Sequence, residues 1–346
     1  MTTPIDLPFS FRHMSLPGGV RAAMLRNPAK IAMKHREQEV TYGEFMARVD
    51  KVCAGLLNDC GLQHGDHAAI ISANSIEYLE VVLGASQAGI GTATINPRLS
   101  PPELAAIADD ARARVLFVDE YTAAALGDTA FATVEKVLVI GNDYQGWRDA
   151  QEPLAELPVV EEWDTFTIPY TSGTTGKPKG VLVPHRSRVV SLYAMAVEYG
   201  CFGPDDRFLA IAPMCHGAGM IFALAPIFFG GYSEIMDKFD PEGVVRRFKR
   251  ENITGFFGVP THFHAIFGLD QSVLDEHRSE TLHTIISNAA ALPQVMKEKI
   301  IGHFGQILHE TYGSTEASIV SNLRPADQLR KVACVGQAFP GTQIEI

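Results

Sequence analysis

The chain has 346 residues, 46% of them hydrophobic, enough apolar material for two packed lobes. Its net charge of −11 and a pI near 5.5 argue against nucleic acid or an anionic membrane surface as the main partner. Five cysteines (Cys53, Cys60, Cys201, Cys215, Cys334) form no C-x-x-C pair, which points to reduced thiols in a cytoplasmic protein rather than a disulfide or zinc framework.

Met1 to Asn27 is poorly patterned and is expected to lie along the surface, with no secretory signal in it. Thr41 and Glu44 form a T-x-x-E capping box, and Phe45, Val49, Val52 and Leu56 follow at helical spacing up to a stop near Gly61. Ala68 to Ser72 reads as a buried strand, Asn74 to Gly89 as a helix and Gly91 to Ile95 as the next strand. Ser100, Pro101 and Glu103 open another capped helix, with short strands at Val115 to Val118 and Val137 to Ile140. The acidic, proline-containing stretch Asn142 to Trp163 breaks this rhythm and is expected to connect two lobes.

The alternation resumes with strands at Thr165 to Tyr170 and Val181 to Pro184, a helix at Arg188 to Tyr199 and a strand at Arg207 to Ile211. Phe208 to Ser233 carries no Asp, Glu, Lys or Arg, but prolines and glycines interrupt it. A lipid-facing helix would leave backbone groups unsatisfied there, so a buried strand, a loop and a buried helix are expected. Asp240 and Pro241 start a helix to Arg250, followed by strands at Thr254 to Val259, Thr284 to Ser287 and Ile307 to Glu310, with a helix at Gln294 to Phe304. Turn signals then lead to the start of a strand at Thr342 to Ile346. The expected class is α/β: two doubly wound, mostly parallel sheet lobes with flanking helices, over 1–163 and 164–330, plus the start of a β-rich third subdomain over 331–346.

Tyr170 to Val181 reads Tyr-Thr-Ser-Gly-Thr-Thr-Gly-Lys-Pro-Lys-Gly-Val. Glycines let a backbone approach a ligand, and successive N–H groups form an anion-binding concavity. Thr171, Ser172, Thr174 and Thr175 add hydroxyl donors beside Gly173 and Gly176, and Lys177 and Lys179 add charge, so the composition suits a polyphosphate. It is not the nucleoside-triphosphatase P-loop: two residues separate Gly173 from Gly176, and Pro178 stands where Ser or Thr is required. By composition alone, a mobile hairpin without ligand is the alternative.

Glu310-Thr311-Tyr312-Gly313-Ser314-Thr315-Glu316 follows a predicted strand, where ligands collect in open α/β sheets. Tyr312 offers a flat face for a base, Thr315 a hydroxyl for a phosphate oxygen and Glu316 a hard carboxylate for Mg²⁺. Taken alone, the same residues suit a helix N-cap. His216 and Gly217 lie in Ala212 to Met220, where a lone histidine in apolar sequence is more often a satisfied core residue. Ser287-Asn288-Ala289-Ala290-Ala291-Leu292-Pro293 would let a ligand approach the backbone, or be a close-packed strand end.

Together these stretches resemble the core motifs of the acyl-adenylate-forming superfamily, the acyl- and aryl-CoA synthetases, adenylation domains and luciferases. The resemblance implies an ATP-dependent ligase. A carboxylate attacks the α-phosphorus of ATP to give acyl-AMP and pyrophosphate, and a thiol such as coenzyme A takes the acyl group. It implies that the Thr171–Lys179 loop holds phosphates, that Tyr312 packs on adenine within a nucleotide site including Ala289, Ala290, Ala291, Glu310, Thr311 and Gly313, and that Thr315 contacts the α-phosphate while Glu316 binds Mg²⁺. His216 is then a gate between acyl pocket and nucleotide. The acyl pocket draws on His216, Gly217, Thr261, His262, Phe263, Ser287, Asn288 and Gly336. Asn288 and its three alanines depart from the family's Gly or Ala run, which bears on pocket shape. The apolar run Met214 to Phe229 points to an aliphatic or aromatic acid. Carrier-protein loading and nucleotide or acyl binding without turnover stay as alternatives. The expected partners are the acid, ATP and coenzyme A, with a homodimer left open; the family's lysine-bearing C-terminal domain is expected to be missing from this chain.

Overall fold

Local capping sets where the helices begin. Helix α1 (Leu16–Arg26) starts at Ser15, whose hydroxyl accepts from the Gly18 amide, and it buries Leu16, Val20 and Ala23. The hairpin β1 (Ile31–His35) and β2 (Gln38–Thr41) follows. Helix α2 (Tyr42–Asn58) carries the expected capping box: the Glu44 amide donates to Thr41 Oγ1 at 3.2 Å, and the Thr41 amide to Glu44 Oε2 at 2.9 Å. Its Phe45, Val49, Val52 and Leu56 are fully buried, each worth about 1.5–3 kcal/mol relative to exposure. The computed structural model describes residues 14–171 and 177–345.

The chain divides into two units, Met1–Lys30 with Val40–Val189 and Ile31–Glu39 with Val190–Ile346. In the first, strands and helices alternate: β3 (His67–Ile71), α3 (Ile76–Gln87), β4 (Gly91–Thr94), α4 (Pro101–Asp110), β5 (Ala113–Asp119), α5 (Glu120–Leu126) and β6 (Lys136–Ile140). Then come α6 (Asp143–Asp149), β7 (Thr165–Thr171), β8 (Lys179–Gly180) and β9 (Val183–Pro184). The sheet order is β6-β5-β3-β4-β7-β8, with β9 also on β7. Strands β3 to β7 pair in parallel, and β8 and β9 run antiparallel to β7.

Three expectations change here. Asn142 to Trp163 is not simply a connection, because α6 belongs to the body of this unit. Its Tyr144 and Arg148 are buried on Glu80, which accepts from Tyr144 Oη at 3.0 Å, from Arg148 at 2.7 Å and, through its other oxygen, from Arg48 at 3.1 Å. A fully buried carboxylate needs such partners, and they fix the helix in place. The boundary also moves from 163/164 to 189/190, since β7 extends the first sheet beside β4. The surface placement expected for Met1 to Asn27 gives way to α1 over its described part.

Helix α7 (His185–Tyr199) crosses the division. The second unit continues with β10 (Arg207–Ala210), α8 (Gly217–Phe229), β11 (Tyr232–Ile235), α9 (Pro241–Arg250), β12 (Gly255–Gly258), α10 (Pro260–Ile266), α11 (Gln271–Glu276) and β13 (Thr284–Ser287). It ends with α12 (Gln294–Phe304), β14 (Leu308–Ser314), β15 (Ser318–Leu323) and β16 (Gln337–Ala338). The nine-stranded order is β16-β15-β14-β13-β12-β10-β11-β1-β2, so the early hairpin closes one edge, where Lys34 pairs with Glu251 and Arg36 with Asp237. The strands from β14 through β11 to β1 are parallel, whereas β15 runs antiparallel to both of its neighbours, β14 and β16. Leu209, Phe248, Phe256, Ile285, Ile300 and Leu308 form its core between strands and helices.

The α/β class with two mostly parallel sheets is as expected. The third subdomain's start takes form only as β16, an edge strand, and 342–345 is irregular rather than a strand. The apolar run at 208–233 is a strand, a loop, the 13-residue α8 and β11, and among the described residues no helix is long and apolar enough to cross a membrane.

Candidate active site

Within the second unit, a cavity of about 590 Å³ opens at the carboxyl ends of β13 and β14. Three stretches line it: Asn288 to Leu292 with Gln294 and Lys297, then Glu310 to Gly313, then Val332 to Val335. Adjacent parallel strands end together, so stretches twenty residues apart in the chain arrive at one place.

The first wall leaves β13 at the buried Ser287 and turns at Ala289, which holds φ +75°. That left-handed conformation is unusual for a residue with a Cβ. Asn288 Oδ1 accepts from the Ala289 amide. Ala289, Ala290 and Ala291 are exposed, while Leu292 is buried and its amide donates to Glu310 Oε1 at 2.8 Å. Glu310 also pairs with Lys297 from α12, with side chains 8% and 5% exposed. Thr311 Oγ1 donates to the Ser287 carbonyl at 3.3 Å, tying the two strand ends. Tyr312 stands 55% exposed at the cavity, a flat ring not consumed by the core. Gly313 follows at a bulge, where a Cβ would lie 2.1 Å from the Ser318 carbonyl oxygen. On the third wall, Ser321 Oγ donates to the Val335 carbonyl at 2.8 Å. Gly336 precedes β16 and does not line the cavity: at φ +87°, its Cβ would sit 1.9 Å from the Asn322 oxygen.

The remaining candidates lie elsewhere. Thr315 and Glu316 occupy the turn between β14 and β15, just beyond the lining, where Ser314 Oγ accepts from the Ala317 amide at 3.1 Å. The helix N-cap suggested by these residue types is therefore a hairpin turn. His216 is the exposed residue before α8 rather than a core histidine, and Gly217 is the first residue of that helix. In α10, Phe263 is a core residue packed edge-on against Phe256, and Thr261 is exposed. His262 stacks on Phe239 at 4.4 Å and accepts from the Val259 amide through Nδ1; burial pushes its pKa down to about 4. None of these three lines the described cavity.

In the first unit, β7 and β8 form the base of the glycine-rich loop. Thr171 pairs with Lys179 and Tyr170 with Gly180. Lys177 and Lys179 are exposed. Tyr170 donates to Asp110 at 2.7 Å, and its ring covers Gly180, where a Cβ would meet it at 2.9 Å. Ser172, Gly173, Thr174, Thr175 and Gly176 lie outside the described residues.

Among the described residues, no group of three or more His, Cys, Asp or Glu could hold a metal. Mg²⁺ commonly takes one or two carboxylates beside substrate phosphates and water. The exposed Glu316 carboxylate fits an ion carried in with a nucleotide, not a protein cage. The residues that sequence reasoning missed are Gln294, Lys297 and Val332 to Val335. For Lys297 a signal existed: a lysine beside Met296 and Ile300 on the buried stripe of α12 requires a buried partner.

The model of the family described as AMP-binding enzyme matches residues 20–346. Feruloyl-CoA synthase of Amycolatopsis sp is 30% identical over 306 residues, covering 86% of this chain and 59% of that protein. Long-chain-fatty-acid–CoA ligase of Thermus thermophilus is 31% identical over 313 residues, covering 87% and 57%. This chain thus spans somewhat over half the length of these relatives. Among solved structures, the anthranilate CoA ligase AuaEII in complex with anthranoyl-AMP matches with a TM-score of 0.87 at 23% identity, over 98% of this chain and 66% of that one, a likeness of fold.

Proposed function

The chain belongs to the AMP-binding enzyme family, and on that premise we propose that it takes part in activating a hydrophobic carboxylic acid, aliphatic or aromatic, as an acyl-adenylate that is passed to coenzyme A. The observation that carries this reading is the cavity where Ala289 to Ala291 and Glu310 to Gly313 converge beside the exposed Tyr312 ring. A flat apolar face, an exposed small-residue backbone and a wall of Val332 to Val335 suit a neutral base and an apolar group better than a polyphosphate.

In this reading the Thr171–Lys179 stretch supplies charge to the phosphates through the exposed Lys177 and Lys179. Tyr312 stacks on the base, and the 289–291 backbone lies against its edge. Thr315 donates to an α-phosphate oxygen. Glu316 is the residue that would hold Mg²⁺, which supplies charge neutralisation for the departing pyrophosphate. His216 positions the acid and separates the acyl pocket from the nucleotide. The carboxylate oxygen forms its bond to α-phosphorus as the bond to pyrophosphate breaks. The thiol sulfur then bonds to the acyl carbon, AMP leaves and the thiol proton passes to solvent.

The test is to incubate the protein with ATP, Mg²⁺ and a panel of fatty, aryl and short dicarboxylic acids, then with coenzyme A or a phosphopantetheinyl carrier. The expected result is an acyl-adenylate from an apolar acid and its coenzyme A thioester. Transfer to the carrier alone would replace the acceptor, and AMP binding without adenylate from any acid would leave a nucleotide-binding module.

A further inference from the structure

The 288–292 wall is an irregular segment that contains a left-handed residue, Ala289. Such a segment holds one shape only when its surroundings over-determine it. Its local tie is Asn288 to the Ala289 amide; its long-range tie is the Leu292 amide on Glu310 Oε1 at 2.8 Å. Glu310 is itself aimed by Lys297, which takes its other oxygen. Both side chains are nearly buried, so this ammonium is committed to the carboxylate rather than offered to a phosphate.

We propose that Glu310 is a positioning residue for the cavity: its carboxylate, oriented by Lys297, fixes the Leu292 amide and thereby the Ala289–Ala291 backbone against which the nucleotide rests. This rests on the proposed nucleotide reading of the cavity. The role requires an acceptor oxygen at Glu310, whereas a purely structural ion pair requires only opposite charges.

The test works in a Lys297→Met background, so that no variant leaves an unpaired buried charge. Glu310→Gln keeps an oxygen that accepts from Leu292; Glu310→Leu does not. AMP binding by calorimetry should weaken about tenfold or more in the leucine variant relative to the glutamine variant. Without nucleotide, exchange of the Leu292 amide hydrogen should speed up about tenfold in the leucine variant only, as expected for loss of a hydrogen bond. Equal AMP affinity in the two variants, or equal Leu292 exchange, would overturn the proposal. If the parent protein binds no AMP, the nucleotide reading fails, and Leu292 exchange still decides the anchor.

Discussion

The two units support their polar chemistry in different ways. In the first, Lys177 and Lys179 stand in solvent on a hairpin with two paired positions. In the second, Glu310 and Lys297 are buried, and what they hold is backbone. On the proposed reading, charges that meet a polyphosphate gain by staying hydrated until the ligand arrives, because burying them unpaired would cost more than the contact returns. A neutral ring offers little charge to grip, so its site has to be a surface of fixed shape. Substitutions in the hairpin should therefore change affinity without stability, and those behind the cavity wall should change both.

The largest effect is expected from Glu310→Leu alone. It strands Lys297 in a buried site and should cost about 3–5 kcal/mol of unfolding free energy in a denaturant titration. A loss below about 1 kcal/mol would mean that water reaches the pair and would erase the contrast with the hairpin.

His185 provides a buried polar anchor in the first unit. It accepts from the Leu16 amide through Nδ1 at 3.3 Å, so Nε2 carries the proton that faces Ser86 Oγ at 3.2 Å. Burial pushes its pKa down from 6.5 to about 4. The unfolded chain therefore binds the proton first as pH falls: stability from this group is intact above pH 6.5 and is lost progressively toward pH 4, by about 3 kcal/mol. Unfolding titrations of the parent and of His185→Gln across that range should differ in slope by this component. Parallel curves would show that the histidine is solvated.

Gly336→Ala should cost about 1–3 kcal/mol, since φ +87° disfavours a side chain and the added Cβ meets the Asn322 carbonyl. Because Val335 lines the cavity, AMP affinity should fall with it; an unchanged affinity would detach the third wall from the site. The smallest stability effect is expected for Lys177→Gln with Lys179→Gln, within about 0.5 kcal/mol. ATP affinity should nevertheless fall about tenfold at low salt and less at high salt, where the charges are screened.

What could be read from the sequence was what local chemistry dictates. The Thr41–Glu44 box, the Asp240–Pro241 start and the apolar spacing of α2 act within a few residues, and those helices are where the spacing predicts them. Helix α1 was hidden because Pro17, Gly18 and Gly19 in its first turn break the apolar spacing and are poor helix formers. The β1–β2 hairpin joins a sheet whose other strands lie some two hundred residues away, a pairing no local pattern reveals. The same divide runs through the site. Asn288 to Ala291 and Glu310 to Gly313 advertised themselves by composition, whereas Lys297 and Val332 to Val335 reach the cavity only through tertiary packing. Thr261, His262 and Phe263 lie away from the described cavity lining, since Phe263 is drawn into the α10 core.

The most direct measurement of the central claim is exchange of labelled pyrophosphate into ATP in the presence of Mg²⁺ and each acid of the panel. Exchange that depends on an apolar carboxylic acid is the predicted result, because it requires reversible attack of that carboxylate on the α-phosphorus. Absence of exchange with every acid, in protein that binds AMP, would contradict acid activation by this chain.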